Sequence, residues 1–225
     1  MFKALLKIWQ GDSLLGSAIK AAQKMFQENN KLVEDSLDSF MNNEKFDFDV
    51  YKEDQRINHF EKDIRKKILE HLTINPKDDV AASLVLLGVI RDIERIGDYA
   101  KNYFELSKMY NKKFEGEYGD RLTRAKSDFI KKSYLTQEIL IEGDAAKAKK
   151  LIDWYYQDFA PNLVELIEEI MSSGLSAQDA ATFTMLSIYL KRSAAHLANI
   201  ASSVSNPFHK IGFRMKDHKE IEIKS

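Results

Sequence analysis

Glu94 and Asp98 stand four residues apart in the stretch Ile90-Arg91-Asp92-Ile93-Glu94-Arg95-Ile96-Gly97-Asp98-Tyr99-Ala100-Lys101-Asn102. On a helix such residues lie about 40° apart and one turn along, so both carboxylates leave one face. Asn102 and Glu105 continue that row. Two like charges at this spacing repel, and the arrangement wants a cation or a basic partner nearby. Earlier in the chain Asp54, Asn58 and Glu61 form a similar polar row beside an apolar stripe. Two antiparallel helices presenting such rows could build an oxygen-rich site for a hard cation. The same spacing equally suits a solvated helix face whose carboxylates are satisfied by Arg91 and Arg95, and spacing alone leaves both readings open.

Other chemistries find less support. The chain has no cysteine, which removes disulfides, thiolate metal sites and thiol nucleophiles. A ferritin-like di-iron oxidase needs paired Glu-x-x-His motifs, and none of His59, His71, His196, His209 and His218 has a Glu three residues before it. No Walker loop, nucleophile elbow or His-Glu-x-x-His is present, so the expectation is a protein that is not an enzyme. A formal net charge of −1 gives no electrostatic case for nucleic acid.

The elements that must position these residues are helices. Only 3 prolines and 9 glycines punctuate 225 residues. Breaks fall at Gly11-Asp12-Ser13, Asn42-Asn43, Asn75-Pro76, Gly116 to Gly119, Gly143-Asp144, Ser172-Ser173-Gly174 and Asn206-Pro207. Between them the spacing predicts six helices, over 13–41, 47–73, 78–115, 119–142, 144–172 and 176–204. Ile57, Phe60, Ile64, Ile68 and Leu72 step by three and four, as do Leu86, Ile90, Ile93, Gly97, Ala100 and Phe104. Ser176 with Asp179 reads as a variant capping box, and Pro161 should kink or split the fifth helix. Short connections favour antiparallel neighbours, hence an all-α bundle architecture. No apolar run approaches the roughly 20 residues that span a bilayer. Met1 to Trp9 reads as a short helix packed on the bundle, or as a weak membrane or partner contact through Trp9 and the lysines. The tail from Asn206 reads as extended or disordered, or as a partner-binding segment.

The polar motif has an echo. Aligning Arg95 with Arg192, an offset of 97 residues, sets Ile90 to Asn102 against Ser187-Ile188-Tyr189-Leu190-Lys191-Arg192-Ser193-Ala194-Ala195-His196-Leu197-Ala198-Asn199. An offset of three helices implies a duplicated three-helix unit, and thus two tandem antiparallel three-helix bundles.

Asp54-x-x-Ile57-Asn58-x-x-Glu61-x-x-Ile64, then Asn75-Pro76, then Glu94-Arg95-Ile96-Gly97-Asp98-x-Ala100-x-Asn102, resembles the first repeat of the PhoU family. The resemblance implies a six-helix, spectrin-like fold divided at 1–116 and 117–205, with a C-terminal tail over 206–225. It implies a metal-binding regulatory or accessory protein of phosphate uptake and phosphate signalling. Its metal would be iron or another transition or divalent ion (zinc, manganese, magnesium or nickel), held by Glu94, Asp98, Asp54, Asn58 and Asn102. Its partners would be a phosphate transporter, a sensor histidine kinase, or both. It would be cytoplasmic or peripheral at the inner face of the membrane, with a homodimer plausible. Arg91, Arg95 and Arg192 would contact anions or a partner.

The chain departs from the family pattern in two places. Asp79-Val80-Ala81 lacks the Arg that usually follows the proline turn. Lys191 and Ala195 stand where the second repeat's carboxylates belong, leaving His196 and Asn199 as a secondary candidate site, with Asp153 and Gln157 roughly where Asp54 and Asn58 stand in the first. The alternative is a helical scaffold or interaction protein with a vestigial site.

Overall fold

Recurrence of apolar residues at three and four decides the first helix, α1 (Leu14–Met41), whose Leu15, Ala18, Ile19, Ala22, Met25 and Phe26 are all buried on one stripe. The computed structural model describes residues 14–74 and 79–212. The expected N-terminal helix, the Asn75-Pro76 turn and the tail beyond 212 lie outside the described residues. After α1 come α2 (Val50–Ile74), α3 (Val80–Met109), α4 (Gly116–Glu142), α5 (Ala145–Asp153), α6 (Ala160–Met171) and α7 (Ala177–Ser205). No strand occurs among the described residues.

Several boundaries move, for local reasons. α3 stops at Met109 and not near 115, because Tyr110 turns extended at φ −136° and ψ 107°. That turn places its ring 5.4 Å from Phe114 and 6.1 Å from Phe183, and Phe114 in turn packs 5.1 Å from Phe40. α4 starts inside the expected glycine break, at Gly116. Gly119 belongs to its first turn, where a Cβ would come within 2.8 Å of the Phe114 carbonyl carbon. Gly143, at φ 66°, closes α4 in the left-handed conformation that glycine adopts without strain. Asp144 then caps α5 by accepting from the backbone N–H groups of Ala146 and Lys147. Ser176 caps α7 by accepting from the Asp179 N–H, while its hydroxyl donates to the Asp179 carboxylate at 2.6 Å. Each such cap contributes about 1 kcal/mol.

The expected break at Pro161 appears as a change of helix type just before it. α5 runs into a π-helical segment, Trp154–Phe159, in which Ala160 N–H reaches back five residues to the Tyr155 carbonyl. Pro161 then lies in the first turn of α6, where a missing N–H breaks no helical bond. The chain from Asn206 is not simply extended as far as it is described. Phe208–Lys210 forms a 3-10 turn, Asn206 Nδ2 donates to the Lys210 carbonyl, and Gly212 N–H donates to Ser202 Oγ.

α1, α2 and α3 pack on one another, and α4, α5 and α6 gather around α7. With α5, the π segment and α6 running on as one helix, the two groups are each a three-helix unit. They share one continuous core, because α3 packs along α7 and α1 along α4. Fully buried Phe26, Phe40 and Phe129 each contribute about 2 kcal/mol to it. Where α1 meets α4 the contact is polar: Ser133 Oγ donates to Asn30 Oδ1 at 2.6 Å, Asn30 Nδ2 donates to Gln137 at 3.0 Å, and Lys126 pairs with Asp38. Where α3 meets α7 it is aromatic, with the Tyr189 ring against those of both Tyr99 and Tyr103 and the buried Tyr103 hydroxyl 3.4 Å from Ser193 Oγ.

Candidate functional site

Helix α2 carries its carboxylates on the same stripe as its core residues: Asp54, Ile57, Glu61, Ile64 and Ile68 are all buried. Asp54 and Glu61 are each only 8% exposed, so both charges need partners. Asp54 accepts from Asn58 Nδ2 at 3.0 Å, and Glu61 pairs with Arg65 at 2.6 Å. α3 faces α2 across this stripe and brings Asp98. Lys101 Nζ lies between the two helices, 2.9 Å from Asp54 Oδ1 and 2.8 Å from Asp98 Oδ1. The acidic rows expected from the sequence do converge, and a cation does join them. That cation is the chain's own ammonium.

The electrostatics agree. Burial alone would lower the proton affinity of Lys101, but its hydrogen bonds to Asp98 and Asp54 outweigh burial and raise its pKa above the ordinary value. Glu94 is displaced upward as well, first by burial and then by the nearby charges of Asp98 and Glu61, with Arg95 and Lys101 only partly compensating. Four carboxylates thus crowd this stretch of α2 and α3. Among the described residues, however, no three His, Asp or Glu side chains are grouped so as to hold one metal ion. Asp54 and Asp98 as they stand form an ammonium cradle, not a complete ligand set.

The close approach around this face depends on Gly97. A Cβ there would fall 2.2 Å from Asn29 Oδ1, and the fully buried Asn29 sends its Nδ2 to the Ile93 carbonyl at 2.9 Å. α1 therefore packs its amide directly on the α3 backbone.

The remaining expected residues separate into three places. Asn102 makes no hydrogen bond to Asp54 or Asp98 and lines a cleft with Arg95, Asp98, Tyr99, Lys101, Tyr189 and Arg192. Arg95 also reaches Asp98 at 3.3 Å and Glu94 at 3.8 Å. Arg91 is exposed and makes no ion pair within the described residues, so it belongs to neither group. His196 and Asn199 of α7 converge on one acceptor: Asp92 Oδ1 lies 2.7 Å from His196 Nδ1 and 3.3 Å from Asn199 Nδ2. They form a latch from the second unit onto α3. Asp153 and Gln157 repeat the amide–carboxylate pair of Asp54 and Asn58 at 3.4 Å, but both are exposed, at the junction with the π segment.

Sequence reasoning missed Lys101 and Asp92. Lys101 had a signal, being three residues after Asp98 and therefore on its face. Asp92 had none, because its partner is 104 residues away.

Comparison with known proteins places residues 22–107 in a family model described as the PhoU domain, a span that runs from within α1 almost to the end of α3. A curated protein of Thermotoga maritima, "Phosphate-specific transport system accessory protein PhoU homolog 1", is 31% identical over 90 residues. That match spans 39% of this chain and 38% of the relative, so the chain aligns with well under half of that protein. Among solved structures, the phosphate transport system regulatory protein PhoU from Streptococcus pneumoniae superposes with a TM-score of 0.67 at 16% identity. The superposition covers 91% of this chain and 95% of that one, and at such low identity it shows the fold.

Proposed function

We propose that the chain, whose residues 22–107 match the PhoU domain model, is a regulatory accessory protein of phosphate uptake and not an enzyme. The observation that carries this reading is the domain match itself, which falls on the helices that hold the Asp54–Lys101–Asp98 face. On this reading the protein acts by docking onto a phosphate transporter, a sensor histidine kinase, or both, with self-association into a homodimer proposed on the same terms. Its place is the cytoplasm or the inner face of the membrane, reached through a partner; no described helix is long and apolar enough to cross a bilayer. The test is deletion in the source organism with phosphate uptake followed at high and low external phosphate. Uptake that no longer responds to phosphate supports the reading, and unchanged regulation sinks it.

A second reading, metal binding, is favoured by the crowding that raises the pKa of Glu94. Carboxylates pressed together in this way gain from a cation. Asp54 and Asp98 would be the first donors, with iron the first candidate, and the ion would have to displace Lys101 from both aspartates. Glu94, Asn58 and Asn102 would have to move in to complete the ligand set, since no three carboxylates among the described residues are grouped around one point as the side chains stand. Elemental analysis of the tag-free protein beside the Glu94→Ala/Asp98→Ala variant decides it. Metal that disappears in the variant supports the reading; an equal metal content, or none after supplementation with iron, zinc and manganese, removes it.

A further inference from the structure

Where α3 and α7 run side by side, a cleft of about 380 Å³ opens to solvent. Arg95, Tyr99, Lys101 and Asn102 line it from α3, and Tyr189 and Arg192 from α7. Arg95 and Arg192 are the residues related by the 97-residue offset, so the duplicated unit brings its two equivalent arginines to a single cleft. Asp98 is the one carboxylate of the lining, and it is engaged by Lys101 at 2.8 Å and by Arg95 at 3.3 Å. Arg192 has no carboxylate within ion-pair distance among the described residues. The hydroxyls of Tyr99 and Tyr189 make no hydrogen bond there either, although their rings meet at a tilt with centroids 5.7 Å apart.

The field in the cleft is legible at the Tyr99 phenol. Burial raises its pKa, and the two charges that most oppose that rise are Arg192 and Arg95. Both guanidinium groups therefore act on the same hydroxyl. A guanidinium without an acceptor, two phenols without partners and a second guanidinium only partly engaged form a set of donors lacking an acceptor. They come from two helices facing one another, so they surround an anion and do not meet it in one plane. That distribution suits tetrahedral oxygens better than a flat carboxylate.

The geometry points to the α3–α7 cleft as a binding site for a phosphate-type oxyanion, gripped by Arg192 and Arg95 with the Tyr99 and Tyr189 hydroxyls. Such an ion would tie the two helical units together through their equivalent arginines. The cleft is independent of the regulatory reading, and only the choice of phosphate as first probe rests on it.

The experiment is isothermal titration of the full chain with inorganic phosphate at low ionic strength and neutral pH, repeated with phenyl phosphate to represent a phosphorylated partner. Saturable binding is expected with at least one of them, and the tighter of the two identifies the source. Arg192→Gln should weaken it about tenfold or more, and Tyr99→Phe by a smaller factor, while Arg91→Gln leaves it unchanged. Circular dichroism melts of each variant show that the fold is intact. Absence of saturable binding to either probe overturns the proposal. So does binding that survives both Arg192→Gln and Arg95→Gln, or that falls as much with Arg91→Gln. A chain that fails to bind phosphate while its deletion still disturbs uptake would overturn the cleft alone.

Discussion

Helices α3 and α7 carry one pattern at an offset of 97 residues and use it in opposite ways. On α3, Glu94 and Asp98 are part of a crowded acidic face that the first unit neutralises internally, through Lys101 and Arg95. On α7, Lys191 and Ala195 replace those carboxylates, and the polar residues that remain, His196 and Asn199, reach across to Asp92 of α3. The first unit holds its charge together within itself; the second spends its polar groups on holding the first. A repeat position that lacks its carboxylates is therefore not empty of purpose, because the facing helix supplies a new partner for what is left.

The strongest way to break this comparison is at its backbone. Gly97 and Ala194 are equivalent, yet a Cβ at Gly97 would fall 2.2 Å from Asn29 Oδ1, while Ala194 is accommodated at 0% exposure. Gly97→Ala should cost about 2–3 kcal/mol, since the buried amide must move and lose its bond to the Ile93 carbonyl. Ala194→Gly should cost only about 1 kcal/mol, the helix-propensity difference. Urea denaturation of both variants checks it. Equal costs would mean that α1 does not depend on glycine to reach α3.

Next in size is the cation of the first unit. Lys101→Met leaves Asp54 and Asp98 facing each other in partial burial, at an expected loss of about 1–2 kcal/mol. Lys191→Met, on the other helix, should stay within about 0.5 kcal/mol, because no ion pair with Lys191 exists among the described residues. The two variants together test whether a cation is needed where the carboxylates remain and dispensable where they are gone. Because the pKa of Lys101 is raised in the fold, its contribution is complete below its unfolded value and fades only as pH climbs through the folded one. Between pH 6 and 8 the Lys101→Met deficit should therefore be flat.

How much of this could be read from the sequence follows from the range of each interaction. The stripes of α2 and α3 were legible because apolar spacing is local, and Asp54, Asn58 and Glu61 stand on one of them. The convergence of Asp54 with Asp98 followed from two such faces being opposed. Lys101 was legible in principle, as Arg91 and Arg95 drew attention from an i,i+3 pair on the other side. The Asp92 latch was not legible, since nothing local to either helix sets which residues of α3 meet α7. Nor was the π segment: Pro161 announces a disturbance, but whether the helix kinks, splits or widens depends on how Trp154 and Phe159 pack, 4.6 Å apart, beneath it.

The latch is the next effect. His196 and Asp92 are 24% and 22% exposed as side chains, so their hydrogen bond is neither fully screened nor fully buried. His196→Ala should cost about 1 kcal/mol. A double-mutant cycle with Asp92→Asn should recover most of that as coupling, whereas the cycle of His196→Ala with Asp98→Asn should be additive, since the two belong to separate groups. Coupling of His196 to Asp98 would merge the two polar networks that the comparison holds apart.

The smallest effect distinguishes the equivalent positions Glu94 and Lys191 by pH. Burial, then Asp98 and Glu61, raise the Glu94 pKa, so the folded chain holds this proton more tightly than the unfolded chain. The charged form consequently detracts from stability above the folded pKa, and the deficit disappears as pH falls through that value toward the ordinary 4.5. Glu94→Gln should raise the unfolding midpoint at pH 7 and lose its advantage at acid pH, while Lys191→Gln should show no such dependence across the same range. Thermal melts of both variants between pH 4 and 7 give the answer. A Glu94→Gln variant that is less stable at pH 7 would mean that the carboxylate is held by a favourable cation contact, and the acidic face of α3 would then be balanced as it stands, with no surplus charge to recruit a metal ion.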